Sequence, residues 1–242
     1  MRARKRVVLL ALVSLLTAGN VFAHDKGDFM VHIEPQFIFS LPKIGESVKD
    51  NDEIYGYRSN AGGFGFVIRA RPEYWFFDVF GVSAGFGYSI QFDDWKWHYV
   101  REDSYSDRTS ISGSVWFTRG YITFPVGVNF SSRMFIAGFG ATFNILMHEG
   151  ASADGYDKDK YDSFYFKSYI GWYLDIGFDR SGRKGGRHGF GMALRFAGSF
   201  TDNLAGLPTG RNVSEKHPYR DFSISIVLSP AFQVASLPIV RE

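Results

Sequence analysis

Residues Arg133–Met147, RMFIAGFGATFNILM, hold the pattern on which the fold of this chain depends. Successive side chains on a β-strand point to opposite faces, so the stretch separates into two sets of alternate residues. One set is aromatic and apolar, and the other is mostly small and polar: Phe135, Ala137, Phe139, Ala141, Phe143, Ile145 and Met147 against Ile136, Gly138, Gly140, Thr142, Asn144 and Leu146. A strand in a soluble protein has about 5–6 residues, whereas a tilted strand that crosses a bilayer needs about 9–11. This stretch is therefore long enough to cross a membrane.

The same alternation recurs along the chain, and we predict eight strands. They are Phe29–Leu41, Gly63–Phe76, Phe80–Phe92, a strand within 109–130, Arg133–Met147, Phe164–Phe178, Phe190–Phe200 and Arg220–Phe232. The connections alternate between short turns and long polar loops, which cover 42–60, 93–108, 148–163 and 201–219. An even number of antiparallel strands with long loops at one end is typical of a transmembrane barrel. We predict an all-β fold, an eight-stranded antiparallel up-and-down transmembrane β-barrel.

The first 23 residues have the pattern of a cleaved signal peptide. A basic beginning is followed by an apolar core, Val7–Leu16, and by a small-x-small sequence that ends at Ala23. A transmembrane helix needs about 20 apolar residues, so this core favours cleavage over a retained anchor. We therefore divide the chain into a signal peptide (1–23), a β-barrel (24–232) and a C-terminal tail (233–242).

The composition agrees with a barrel and excludes several classes of site. The chain has 25 Phe and 27 Gly, and it has no Cys, which excludes disulfides and thiolate metal sites. A chain without thiols suits an oxidising periplasm. The 27 basic residues less the four in the leader leave 23 against 25 acidic residues, so the positive charge of the whole chain gives no reason to expect nucleic acid as a partner.

Alternation alone does not separate a membrane barrel from a soluble barrel with an apolar interior. The second face of the strand Phe80–Phe92 is made of glycine and serine, apart from Gln91 near its end. A narrow eight-stranded lumen needs such small residues opposite large ones, because its interior is just wide enough for side chains to fill. We therefore expect the small set to face the lumen and the aromatic set, including Phe135, Phe139 and Phe143, to face lipid.

The lumen set contains charges of both signs, and strand pairing predicts which of them meet. Opposed residues of an antiparallel pair have a constant index sum. The turn near residue 185 therefore places Asp175 opposite Arg195, and the loop near residue 51 places Glu34 near Arg69. We expect these to be structural ion pairs that fill the lumen and fix the strand register. The alternative is a path for protons or ions.

Three possible reactive or metal sites are weaker. The acidic loop 148–163 is rich in carboxylates, but its spacing does not match a calcium-binding loop. His98, His148 and His217 lie in three different loops, and a solvent-exposed histidine is the simpler interpretation. Ser199, Asp202 and His217 are the candidates for a lipid-modifying site at the rim, but no Ser–His spacing supports them. We therefore predict no catalytic residue, no metal and no cofactor.

Two segments carry a resemblance to a known family. They are PEYWFFDVFGVSAGFGYS (Pro72–Ser89) and RGYITFPVGVNFSSRMFIAGFG (Arg119–Gly140), and they follow a leader that ends VFA. The chain resembles the small eight-stranded outer-membrane β-barrels of the OmpA/OmpX/OmpW-like group. The resemblance implies an outer-membrane location, contact with outer-membrane lipids and recognition by the barrel-assembly machinery. Barrels of this kind often end in an aromatic residue, whereas here Phe232 is followed by about ten further residues.

These observations favour a non-enzymatic role. We expect a structural or surface-interaction function through the long outer loops, with an external ligand or a host surface as partner. The alternative, which the OmpW-like resemblance implies, is a narrow channel for small hydrophobic molecules. A lipid-modifying outer-membrane enzyme is the third candidate.

Overall fold

The computed structural model describes most of the chain that follows the predicted leader. The described residues are 26–41, 47–50, 53–58, 63–102, 108–132, 135–153, 166–179, 188–201 and 222–236. The predicted signal peptide (1–23) lies outside them, as do most of the loop 201–219 and the last six residues of the predicted tail.

Eleven strands form one antiparallel sheet. They are β1 (Asp28–Ser40), β2 (Ser47–Asp50), β3 (Glu53–Arg58), β4 (Gly63–Phe77), β5 (Phe80–Ala84), β6 (Phe86–Glu102), β7 (Arg108–Ser132), β8 (Phe135–Ala153), β9 (Tyr169–Asp179), β10 (His188–Ser199) and β11 (Phe222–Ser236). We call each strand that forms part of the barrel wall a stave. β5 and β6 are separated only by Gly85 and together form one stave. β2 and β3 form a hairpin beyond the wall. The wall therefore has eight staves.

The sheet closes on itself through its first stave. β1 pairs with β4 on one side, where Glu34 lies opposite Arg69, and with β11 on the other, where Phe37 lies opposite Ile226. The remaining staves follow in chain order, each antiparallel to the next. Closure leaves no unpaired edge in the wall, which a structure inside hydrocarbon requires because no water is present to bond free backbone groups. The predicted eight-stranded up-and-down barrel is confirmed.

Several strands run further than the sequence pattern predicted. β6 and β7 pair up to Glu102 and Arg108, so most of the predicted loop 93–108 is strand, and β8 continues to Ala153. The predicted loop 42–60 contains the β2–β3 hairpin, which pairs with β6. These loop predictions were wrong because polar composition was taken as a sign of a loop, whereas a ladder can continue above the membrane with polar side chains on both faces.

The start of β9 and the end of β11 also differ from the predicted bounds. β9 begins at Tyr169, not at Phe164, and β11 continues to Ser236, past the predicted end at Phe232. The added residues of β11 pair with the beginning of β1. Ser236 lies opposite Asp28, and the register shifts beside Phe29. Part of the predicted tail therefore belongs to the wall.

The two faces of the wall have the polarity of a membrane barrel. Along β4, buried and exposed residues alternate, and the exposed set includes Phe64, Phe66 and Ile68, the last at 62% exposure. The buried set includes Arg69, Arg71 and Glu73. A soluble barrel would show the opposite arrangement, since an exposed aromatic band in water is unfavourable. Within the described part of the chain, no helix is long and apolar enough to cross a bilayer.

The outward face of β8 gives the height of the apolar band. Phe135, Phe139, Phe143 and Met147 are all exposed on this face. A strand rises about 3.3 Å per residue and tilts by about 35–45° in such barrels, so this run spans roughly 30 Å along the membrane normal. That height matches the hydrocarbon core of a bilayer.

A charge near the middle of this band should destabilise the barrel more than the same charge at its edge. We expect Phe139→Arg to lower the free energy of unfolding by about 2–4 kcal/mol, and Phe135→Arg, at the end of the band, by about 0–1 kcal/mol. Urea unfolding in phospholipid vesicles measures both. Equal effects at the two positions would contradict the placement of the band.

Candidate functional site

A cluster of buried charges fills the middle of the barrel, and strand register brings it together. On β1 every second residue faces inward, which places His32, Glu34 and Gln36 in the lumen. On β4 the same period places Arg69 and Arg71 beside them, because Glu34 pairs with Arg69 and His32 pairs with Arg71. All five side chains are buried.

Arg71 connects two carboxylates. Its Nε donates to Glu34 Oε1 at 2.6 Å, and its Nη1 donates to Glu73 Oε2 at 2.7 Å. Glu73 also lies 3.3 Å from His32 Nε2, and His32 Nδ1 is 2.8 Å from the hydroxyl of Ser229 on β11. Arg71 therefore organises a chain of polar contacts on the inner face of three neighbouring strands, from β4 past β1 to β11.

Arg195 forms the second part of the cluster. Its Nε and Nη2 donate to the two oxygens of Asp175 at 2.6 and 2.7 Å, a bidentate pair between β10 and β9. Its Cζ lies 4.6 Å from the centre of the Tyr173 ring. Arg195 Nη2 is also 3.7 Å from Glu34 Oε2, which joins this pair to the Arg71 contacts. Bidentate guanidinium–carboxylate pairs are among the stronger polar contacts in proteins.

Trp75 fills the lumen on the side of the short turns. Its side chain is fully buried and lies against Gly81 of β5, its partner in the ladder. A Cβ atom at Gly81 would lie 2.9 Å from the indole ring, so the glycine makes room for the tryptophan. We call Glu34, Arg71, Glu73, Trp75, Asp175 and Arg195 together the inner seal.

A second group of buried side chains lies toward the other end of the lumen. Arg119 of β7 is paired with Asp93 of β6, and Asp93 accepts from the hydroxyl of Ser40 at 2.8 Å. Phe166 covers this pair, with its ring centre 4.5 Å from Arg119 Cζ and 5.5 Å from the ring centre of Phe117. We call Asp93, Phe117, Arg119 and Phe166 the outer seal.

A β-bulge helps to hold Phe166 in place. Tyr121 pairs with Leu146 and Gly120 pairs with His148, so Met147 is an extra residue in β8. Beyond the bulge, Glu149 becomes the partner of Arg119, and its Oε2 accepts from the backbone N–H of Phe166 at 2.8 Å. Bulges of this kind redirect side chains near barrel rims.

The structure brings together the four lumen charges that the sequence selected. Asp175 lies opposite Arg195, and Glu34 lies opposite Arg69, as the turn positions predict. The closer partner of Glu34 is nevertheless Arg71, because Arg69 Nη1 stands 3.8 Å from Glu34 Oε2. The sequence analysis did not select Arg71, Glu73 or the outer seal. Arg71 and Glu73 belong to the inward-facing alternate residues of β4, so the period of that strand could have identified them.

The other sequence candidates do not form a reactive site in the described residues. Ser199 is buried, whereas Asp202 and His217 lie outside the described residues. On the outer surface, His148 Nδ1 lies 3.1 Å from the hydroxyl oxygen of Tyr88. The side chains of His98 and His217 are not described. Among the described side chains, no group of three or more His, Asp or Glu residues is placed to hold a metal ion. Most of the acidic loop 148–163 lies beyond the described ranges.

The three predicted lipid-facing residues lie on the outside of β8. Phe135, Phe139 and Phe143 are 68, 55 and 45% exposed. Gly138 and Asn144, from the other face of the same strand, are buried in the lumen. This arrangement is the one expected of a wall strand between lipid and a filled interior.

No protein-family model matches the chain, and no curated protein does. Among solved structures, the chain is similar to the outer membrane protein OprG from Pseudomonas aeruginosa, at 12% identity over 88% of this chain and 98% of that one, with a TM-score of 0.43. It is also similar to Neisserial surface protein A, at 12% identity over 85% and 96%, with a TM-score of 0.41. A third similar structure is the outer membrane protease OmpT from Escherichia coli, at 8% identity over 89% and 98%, with a TM-score of 0.39.

Breaking the Asp175–Arg195 pair should be costly, because one charge would remain buried without its partner. We expect Asp175→Asn to lower the free energy of unfolding by about 3–5 kcal/mol. The double variant with Arg195→Met should cost less than the sum of the two single changes. Urea unfolding of all four proteins gives the coupling energy.

Asp78→Asn is the matched control, since Asp78 lies in a short turn and accepts from the backbone N–H of Lys26. We expect this change to cost about 1 kcal/mol or less. Additive effects of Asp175→Asn and Arg195→Met would contradict the pairing.

Proposed function

We propose that this chain is an outer-membrane barrel with a closed lumen, which acts through its outer surface and its contribution to the envelope. The observation that carries the proposal is the pair of seals in series. Arg71 and Trp75 fill one part of the lumen, and Arg119 and Phe166 fill another. All four side chains are buried and contact residues from several staves.

Opening this lumen to water would require breaking charge pairs in both seals. Each seal combines a buried guanidinium–carboxylate contact with an aromatic side chain. The guanidinium–carboxylate pairs of both seals would have to separate at the same time, so spontaneous opening would be rare. A lumen closed in this way favours a structural role over a channel for small hydrophobic molecules.

The strand pairing above the band supports a role at the outer surface. β6 and β7 remain paired from Asp93, opposite Phe117, to Glu102, opposite Arg108. The β2–β3 hairpin pairs with the other edge of β6. This small sheet continues the wall beyond the apolar band. It provides a hydrogen-bonded base on which the long loops can present an interaction surface to an external ligand or a host surface.

The outer membrane is the location that fits this fold. A closed barrel with an apolar exterior crosses a bilayer with all backbone groups bonded, and the predicted leader would direct it through the inner membrane. Fractionation should therefore place the protein in the outer membrane, with a folded band that shifts on boiling. An unshifted band in the soluble periplasm would contradict both the fold and the location.

Planar-bilayer recording tests the closed lumen. We expect no steady conductance from the wild-type protein. The inner-seal variant Arg71→Ala/Trp75→Ala and the outer-seal variant Arg119→Ala/Phe166→Ala should each remain closed, because the other seal is intact. Combining the two variants should open a path, since the filling side chains of both regions are then removed.

Phe139→Leu is the control, because it changes only the outward face. Gel mobility before and after boiling checks that each variant is folded. Steady conductance in the wild type, or uptake of small hydrophobic molecules into vesicles that depends on the protein, would favour the channel instead.

A further inference from the structure

Arg69 differs from the two other arginines of the central cluster. Its side chain is only 5% exposed, and the nearest carboxylate oxygen, Glu34 Oε2, is 3.8 Å from Nη1. Arg71 and Arg195 each have carboxylate oxygens at 2.6–2.7 Å. The Nε of Arg69 has no hydrogen-bond partner in the part of the chain that the structure describes. A guanidinium group has only donors, so the buried Nε–H needs an acceptor that the described residues do not provide.

A single neutral oxygen serves two of the guanidinium groups. With its amide oxygen turned toward the cluster, Gln36 accepts from Arg195 Nη1 at 2.9 Å and from Arg69 Nη1 at 3.3 Å. Two positive groups therefore converge on one uncharged acceptor. Of the carboxylates beside these guanidinium groups, Glu34 and Glu73 are bonded to Arg71, and Asp175 is bonded to Arg195. Among the described side chains, Arg69 has no carboxylate at hydrogen-bond distance.

The wall beside Arg69 is made of small residues and supplies another donor. Arg69 pairs with Gly87 in the ladder, and Gly87 pairs with Thr123 on the next stave. A Cβ at Gly85 would lie 3.4 Å from Arg69 Cδ, so the arginine side chain runs over a wall of glycines. The hydroxyl of Thr123 is buried in the same part of the lumen and, like Arg69 Nε, has no partner among the described side chains.

We propose that Arg69 and Thr123 bind a small monovalent anion in the lumen, between the inner and outer seals. The anion accepts from Arg69 Nε and from the Thr123 hydroxyl, and its negative charge offsets the charge of Arg69. A halide and a small carboxylate share this chemistry. The ion enters when the barrel forms and stays as part of the folded structure, because both seals enclose it.

The test measures folding as a function of the anion at constant ionic strength. Sodium gluconate, whose anion is too large for the site, is replaced stepwise by sodium chloride, and urea unfolding is followed in zwitterionic vesicles. An ion that binds only the folded state raises the folding equilibrium constant about tenfold for each tenfold increase in concentration above its dissociation constant. We expect that slope for the wild type and no slope for Arg69→Met.

Two further variants separate the site from general effects of salt. Lys26→Gln removes an exposed positive charge near the short turns and should keep the wild-type slope. Thr123→Val keeps the shape of the side chain without the hydroxyl, and the chloride concentration at which the slope begins should rise about threefold or more, as expected for the loss of one hydrogen bond. Thr123→Val also serves if Arg69→Met does not fold.

Crystals of protein refolded in sodium bromide locate the ion. We expect an anomalous bromide peak in contact with the Arg69 guanidinium and none there in Arg69→Met. A slope with sodium formate but not with chloride would support the site and identify a carboxylate as its ligand. The absence of any slope in the wild type, or an equal slope in Arg69→Met, would overturn the proposal. A bromide peak without a slope would mean binding at crystal concentration only and would also overturn it.

Discussion

The lack of water inside a bilayer is the constraint on which the rest of this structure depends. Every backbone N–H and C=O in the wall must be bonded to a neighbouring strand, and only a closed ring achieves this. Closure then places alternate side chains in a lumen that is just wide enough for side chains to fill. The polar lumen and the aromatic exterior of β4 and β8 both follow from that geometry.

A narrow polar interior creates a second requirement, which is that buried charges must be paired. Arg71 satisfies it by bonding two carboxylates, and Arg195 satisfies it by a bidentate contact with Asp175. Glycine opposite a large residue, as at Gly81 and Trp75, makes the space that such filling needs. The alternation of large and small residues in the sequence is thus as important for the inside of the barrel as for its outside.

The strands and their facing could be predicted from the sequence because both depend on a period of two residues. The facing of Phe135, Phe139 and Phe143 and the register of Asp175 with Arg195 followed from that period and from turn positions. The contact of Glu34 with Arg71 did not follow, because a long side chain can reach a diagonal neighbour about 7–8 Å away. Phe166 was not assigned to the mouth because it was counted in the predicted strand Phe164–Phe178, whereas β9 begins only at Tyr169 and its period does not extend to Phe166.

The inner seal also joins the two ends of the chain. Glu34 and His32 lie on the first stave, whereas Ser229 lies on the last and Arg195 on the one before it. Their contacts therefore cross the seam at which the N-terminal and C-terminal strands meet. An open sheet of the same strands would lack these two contacts, although it would keep the Arg71 and Asp175 pairs. The contacts across the seam therefore stabilise the closed ring relative to an open sheet.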